Sequence, residues 1–119
     1  MTLVAPCIPA TALPDDPGAA CAGFLAEIAP EVRAAAGREP ALVVLFAPAD
    51  PAHAAWRLAA IQQLAQQLAR ATAPATRVNA VVVNPANEEA TAEVIRFALT
   101  APGITGQIIA VAGNPPQSA

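Results

Sequence analysis

The sequence has no lysine and no tyrosine, and its one serine, Ser118, stands next to last. Six arginines are set against nine carboxylates, giving a formal charge of −3, and nowhere do the arginines cluster. A chain without a basic patch cannot neutralise a phosphate backbone, so nucleic acid is not an expected partner. Aromatic residues amount to 3% (Phe24, Phe46, Trp56 and Phe97), too few for a base-stacking platform. No apolar run approaches the roughly 18 residues of a membrane span, the longest being "ALVVLFAPA". The opening "MTLVAPCIPATALPDDP" has no basic residue ahead of its apolar part, which argues against a secretory signal and for a cytoplasmic location. Cys7 and Cys21 lack the spacing of metal ligands, and two reduced thiols are expected.

What is present is apolar. Hydrophobic residues make up 55% of the 119 and charged residues 13%, about half the usual share. Part of the surface is therefore expected to lie under another protein; the alternative is that the excess is alanine, which is cheap to expose and favours helix. The length suits one domain with a real core. That domain is expected over residues 1–113, with residues 114–119, "NPPQSA", as a fraying polar tail.

Short apolar runs alternate with longer helical patterns, as in a parallel sheet with helical crossovers. The expected strands are "TLVA" (2–5), ended by Pro6 and Pro9, "ALVVLFA" (41–47), "RVNAVVV" (77–83) and "QIIAVAG" (107–113). The second is a continuous apolar run, which fits burial on both faces. Asp16 is placed to cap a first helix that begins at Pro17 and stops at Gly37, with Pro30 kinking it from inside. Asn87 is placed to cap the last helix, and Glu88 and Glu89 in its first turn favour the helix dipole; capping accounts for this acidic pair better than acid–base chemistry does.

The longest helix is expected over about 52–72. Leu58, Ile61, Leu64, Ala65 and Leu68 fall on one side and should pack on the sheet. Trp56 shares the other side with Ala59, Ala60, Gln63 and Gln67. Small residues beside one large aromatic allow another helix to approach closely, and such an aromatic suits a binding anchor. The alternative is a tryptophan lying over its own exposed helix. With Phe24 from the first helix, Trp56, Ala59, Ala60, Gln63 and Gln67 are the expected partner interface. Gln62, Gln63, Gln66, Gln67 and Gln107 offer hydrogen bonds but no acid or base. His53, the single histidine, has only Asp50 near it, so a helix-start or solvent histidine is expected rather than a metal ligand, and no metal is expected. For Cys7 or Cys21 as a nucleophile, Asp15 and Asp16 are the opposite of the electropositive setting a reactive thiolate needs.

Four passages carry a resemblance: "AGFLAEIAPEV", "AAIQQLAQQLAR", "TRVNAVVVNP" and "AEVIRFALTAPGITGQIIAVAGN". In this order they resemble the second half of a short-chain dehydrogenase/reductase, especially the ketoacyl-reductase branch with its "RVNAV-PG" and "ITGQ…VDGG" motifs. The resemblance implies strands four to seven of a sheet ordered 3-2-1-4-5-6-7, hence a truncated Rossmann-like α/β fold of about four parallel strands with helices on both faces.

Such reductases use tyrosine, lysine, serine and asparagine. A gap-free count from "LAR" (68–70) puts the tyrosine position at Ala54 and the lysine position at Leu58, and neither side chain moves a proton. The first asparagine is Asn79, past the helix that should supply one, where its side chain can tie neighbouring backbone together. A dinucleotide site needs a glycine-rich turn opening a helix, whereas Gly103 and Gly106 precede a strand and are turn glycines. No cofactor is therefore expected, and no enzyme activity. In that family the first two long helices of this half pack on a second subunit as a four-helix bundle, and the last helix and strand make another two-fold contact. The leading expectation is a non-catalytic subunit pairing with a full-length short-chain dehydrogenase/ketoreductase through its helices, or associating with itself. The alternative is a small-ligand or acyl-chain binding module without catalysis. Pro6 and Pro9 are expected to block the sheet edge that truncation exposes.

Overall fold

Ala41–Phe46, buried at all six positions, is the second of four strands in the computed structural model, which describes residues 6–111. The others are β1 (Cys7–Ala10), β3 (Arg77–Val82) and β4 (Ile108–Ala110), with Ala41–Phe46 as β2. All neighbours are parallel and the order is β1-β2-β3-β4, as expected for strands four to seven of the family's sheet. Register aligns Ala10, Phe46, Val82 and Ala110 in one row, so all four strands end together.

Side chains alternate between two cores. Ile8, Leu42, Val44, Phe46, Val78 and Ala80 face a layer made by Phe24, α2 (Ala29–Ala36) and α3 (Ala54–Ala71), with α1 (Pro17–Gly23) leading into Phe24. Cys7, Val43, Leu45 and Val81 face α4 (Glu88–Thr100) on the opposite side. The strand order keeps advancing while the crossover changes face, so the β3–α4–β4 connection has the opposite hand to the two before it. Parallel crossovers are right-handed in about 98% of cases, which makes this reversal a specific feature of the fold.

The first strand lies later than expected: residues 2–5 are outside the described residues, and the chain is strand at Cys7–Ala10, running through Pro9. An edge position permits this. Pro6 O accepts from Val43 N, so by strand alternation Pro6, Ile8 and Ala10 turn their backbone groups to β2, and Pro9 turns its missing N–H outward. Pro9 thus withdraws a donor from the free edge, while Pro6 faces inward. At the other edge β4 is shorter than expected; Gln107 precedes it, and residues 112–119 are outside the described residues.

Asp16 caps α1 through its carboxylate to Ala19 N (2.9 Å), and Gly37 ends α2. The kink expected at Pro30 takes the form of a π-helical turn, Phe24–Ile28, in which Ala29 N donates to Phe24 O. Proline cannot donate to the carbonyl four residues back, and the wide turn absorbs the loss just ahead of it. It also lengthens the spacing of buried positions locally to five, so that Phe24, Ala29, Val32 and Ala36 all join the core against the sheet.

The stripe of α3 is shifted by one position from the expected one. Ile61, Leu64, Ala65 and Leu68 are buried as expected, but Leu58 is 41% exposed, and Arg57 heads the stripe in its place. A stripe at 57, 61, 64 and 68 follows the helical repeat, and Leu58 lies about 100° off it. After α3 the chain makes a cis Ala73–Pro74 bond and enters β3.

Candidate functional site

Beyond the row where the strands end lie two clefts, one on each face of the sheet. The cleft on the α4 side is lined by Pro9, Leu45, Val83, Asn84, Pro85 and Thr91 and holds about 220 Å³. The turn beneath it is closed by its own side chains: Asn84 Oδ1 accepts from Ala86 N (3.0 Å), and Thr91 Oγ1 accepts from Asn84 N (3.0 Å). Asn87 caps α4 as expected, through Ala90 N at 3.0 Å.

The cleft on the α1–α3 side, of about 100 Å³, is the more polar. It lies between the segment after β1, with Leu13 and Asp15, and the segment after β2, with Ala49, His53, Trp56 and Arg57. Asp50 starts a 3₁₀ turn, Pro51–His53, by accepting from Ala52 N (2.9 Å), and this turn delivers His53 to the interior ahead of α3. His53 is buried rather than a solvent residue. Trp56 Nε1 donates to His53 Nδ1 at 2.9 Å, and His53 Nε2 lies 2.9 Å from Asp15 O. Indole N–H is only a donor, so Nδ1 holds the lone pair and Nε2–H donates to the carbonyl. The ring is neutral with both nitrogens engaged.

Ala54 and Leu58, where the gap-free count placed the family's tyrosine and lysine, are exposed and line neither cleft. The residues at the same four-residue spacing that do enter a cleft are His53 and Arg57, one position earlier. Arg57 is 8% exposed; its Cζ lies 4.4 Å from the centre of the Phe46 ring, and its Nε is sealed in without an acceptor. Burial pulls its guanidinium below the usual arginine range, yet an arginine keeps its proton in a protein. A cation–π contact is worth about 0.5–2 kcal/mol. Burying an unpaired charge costs several kcal/mol, so the ring offsets the cost only in part.

Sequence reasoning missed Arg57 because a charged residue at the head of an apolar stripe reads as a break in the pattern. Its i, i+4 relation to the single histidine is the signal that was available.

The six residues expected at a partner interface separate. Phe24 is fully buried and Ala60 nearly so. Phe24, Phe46 and Trp56 form an aromatic cluster with ring centres 5.7–5.8 Å apart. Gln67 Oε1 accepts from Arg33 Nε at 3.3 Å. A helix does approach closely against Trp56, Ala60 and Gln67, but it is the chain's own α1–α2. Ala59 and Gln63 remain exposed on the outer side of α3.

Asn79 ties backbone as expected: fully buried, it donates through Nδ2 to Ile104 O (3.1 Å) and accepts through Oδ1 from Gln107 N (3.0 Å). Gly103 and Gly106 have φ of +83° and +72°, the left-handed turn conformations that favour glycine. Among the described residues no three of His, Cys, Asp or Glu gather, and no helix is long and apolar enough to cross a membrane.

Residues 8–111 match the family described as SDR-like, short chain dehydrogenase-like protein. The chain belongs to this family. No curated protein and no solved structure matches it. The SDR-like fold accounts for the aligned strand ends and the clefts beyond them, where open parallel sheets place their ligands. In this SDR-like chain one of those clefts is walled by a neutral histidine and an unpaired arginine.

Proposed function

We infer that the chain is a non-catalytic SDR-like subunit that pairs with a full-length short-chain dehydrogenase/reductase and stabilises or positions it. The observation that carries this reading is the outer surface of α3. Every exposed position of this helix from Ala54 to Ala69 is alanine, leucine or glutamine, with no charge among them. A solvent-facing helix ordinarily carries charged residues opposite its apolar stripe. Leu58 is 41% exposed on this surface, and Leu25, 48% exposed, follows Phe24, whose ring packs on Trp56 of the same helix. These are the two helices by which the resembling reductases join subunits.

Support for the absence of catalysis comes from the residues themselves. The chain has no tyrosine or lysine to pass a proton, and the lone pair of His53 Nδ1 already accepts from Trp56. General acid–base work needs a titratable group at the reacting atom; those left at the clefts are the carboxylates of Asp15 and Glu88, not the tyrosine and lysine that the resembling reductases use.

The test is the mass of the assembly isolated from the native host, with and without a charge on the exposed surface. Trp56 packs against Phe24 and Phe46, so replacing it would disturb the fold as well as any interface. Leu25→Asp and Leu58→Asp are the suitable variants. A mixed assembly containing an intact reductase, broken by either substitution while the fold is kept, is the expected result. A clean monomer from the host, or turnover of a nicotinamide cofactor by the chain alone, refutes the reading.

A further inference from the structure

The cleft beside His53 contains a cation that forms no ion pair among the described residues, although Asp15 also lines the cleft. Arg57 is more than nine-tenths buried, its Nε has no acceptor, and among the described residues it forms no ion pair. Stacking on Phe46 places the guanidinium with Nε sealed, and leaves the two Nη groups, which are not sealed, as the edge that can meet a ligand. A buried guanidinium fork is complementary to a planar two-oxygen acceptor.

The space and its walls narrow the class. About 100 Å³ has room for a carboxylate with a short carbon stub, and the hollow lined by Pro17, Asp50 and Ala52 continues it outward past Asp15 and His53. Its exposed lining is mostly polar, and Leu13, Ala20, Ala49 and Trp56 add a small apolar patch that a short stub would cover. Asp15 stands at the rim, and its charge opposes a dianion more than a monoanion. His53, neutral and engaged at both nitrogens, forms a wall and leaves the anion to Arg57. We propose that the Arg57–His53 cleft is a binding site for a small monocarboxylate, held by the guanidinium fork with its carbon end against Trp56. The site stands independently of subunit pairing, because Arg57 and the exposed Leu58 point to different sides of α3.

Trp56 is the chain's only tryptophan, so its fluorescence reports on the cleft directly. The whole chain is titrated with sodium propionate against sodium chloride at equal ionic strength. A saturable change in emission is expected with propionate and none with chloride. Arg57→Gln should raise the half-saturating concentration by about tenfold or more, the scale of losing a charge-assisted pair. Ala49→Leu, which fills the cleft and leaves Arg57 in place, should do the same, and it keeps the test decisive if Arg57→Gln fails to fold. No saturable response in the folded wild-type chain, or an equal response in Ala49→Leu, overturns the proposal. A response that emerges only in Asp15→Asn overturns it as well, since Asp15 would then be the occupant. Inorganic phosphate matching or exceeding propionate overturns the assignment to a monocarboxylate.

Discussion

Trp56 Nε1 donates to His53 Nδ1 across 2.9 Å, and this one contact determines which histidine tautomer is present. It links the aromatic cluster over the sheet to the 3₁₀ turn that starts α3, and through His53 Nε2 to the Asp15 carbonyl ahead of α1. His53→Ala leaves a buried indole N–H and a carbonyl unpaired. At about 1–3 kcal/mol for each buried group left without a partner, a loss of about 2 kcal/mol is expected in urea unfolding followed by Trp56 emission. A loss below about 0.5 kcal/mol would mean that water replaces the ring at little cost.

Much of the architecture was legible because it rests on local patterns. The continuous apolar run at 41–46, the Asp16 and Asn87 caps and the turn glycines each state their structure within a few residues. What was not legible depends on tertiary packing. Whether the small face around Trp56 and Ala60 meets another chain or the chain's own α1–α2 is decided by where β1 and β2 place those helices, and no spacing within α3 records it. The one-residue shift from Leu58 to Arg57 likewise follows from the 3₁₀ turn, which sets the starting angle of α3. Pro9 inside a strand reads as a stop until the strand is known to be an edge.

Arg77, at the start of β3, caps a helix that the sequence places after it. Its Nη1 donates to Ala101 O (2.9 Å) and its Nη2 to Leu99 O (3.0 Å), with Ala98 O and Ile104 O at longer range. A cation at the last carbonyls satisfies acceptors that the helix cannot, and opposes the negative end of its dipole. Arg77→Leu should cost about 2 kcal/mol in chemical denaturation. Hydrogen exchange should quicken in the last turn of α4 and not in its first turn, where Asn87 still caps; uniform quickening would argue against a local cap.

Asn79 extends the pairing of β3 beyond the short β4. Gly106 N donates to Val78 O (2.8 Å), Gln107 N to the Asn79 side chain and Ala80 N to Gln107 O (2.8 Å), so the amide bridges a gap in the backbone pairing, as Thr105 Oγ1 does for Val78 N (3.2 Å). Asn79→Leu keeps the volume and loses both bonds. It should destabilise by about 3 kcal/mol, and the Gln107 amide should lose its protection from exchange. If that amide stays protected, the bridge is not what holds the segment.

Cys7 tests the core on the α4 side through pH. Burial pushes its thiol above the ordinary range, because the thiolate would lose its hydration between the sheet and α4. At neutral pH folded and unfolded chains both keep the proton. As pH rises through the unfolded thiol's range, the unfolded chain releases its proton first, so stability falls until the folded thiol ionises too. The absence of lysine and tyrosine makes this readable, because those side chains ordinarily lose their protons in the same alkaline range. Thermal midpoints of the wild-type chain should decline across the alkaline range more steeply than those of Cys7→Ala. Parallel profiles would show that the thiolate meets water in the folded chain, and that the packing of β1 against α4 is looser than the geometry indicates.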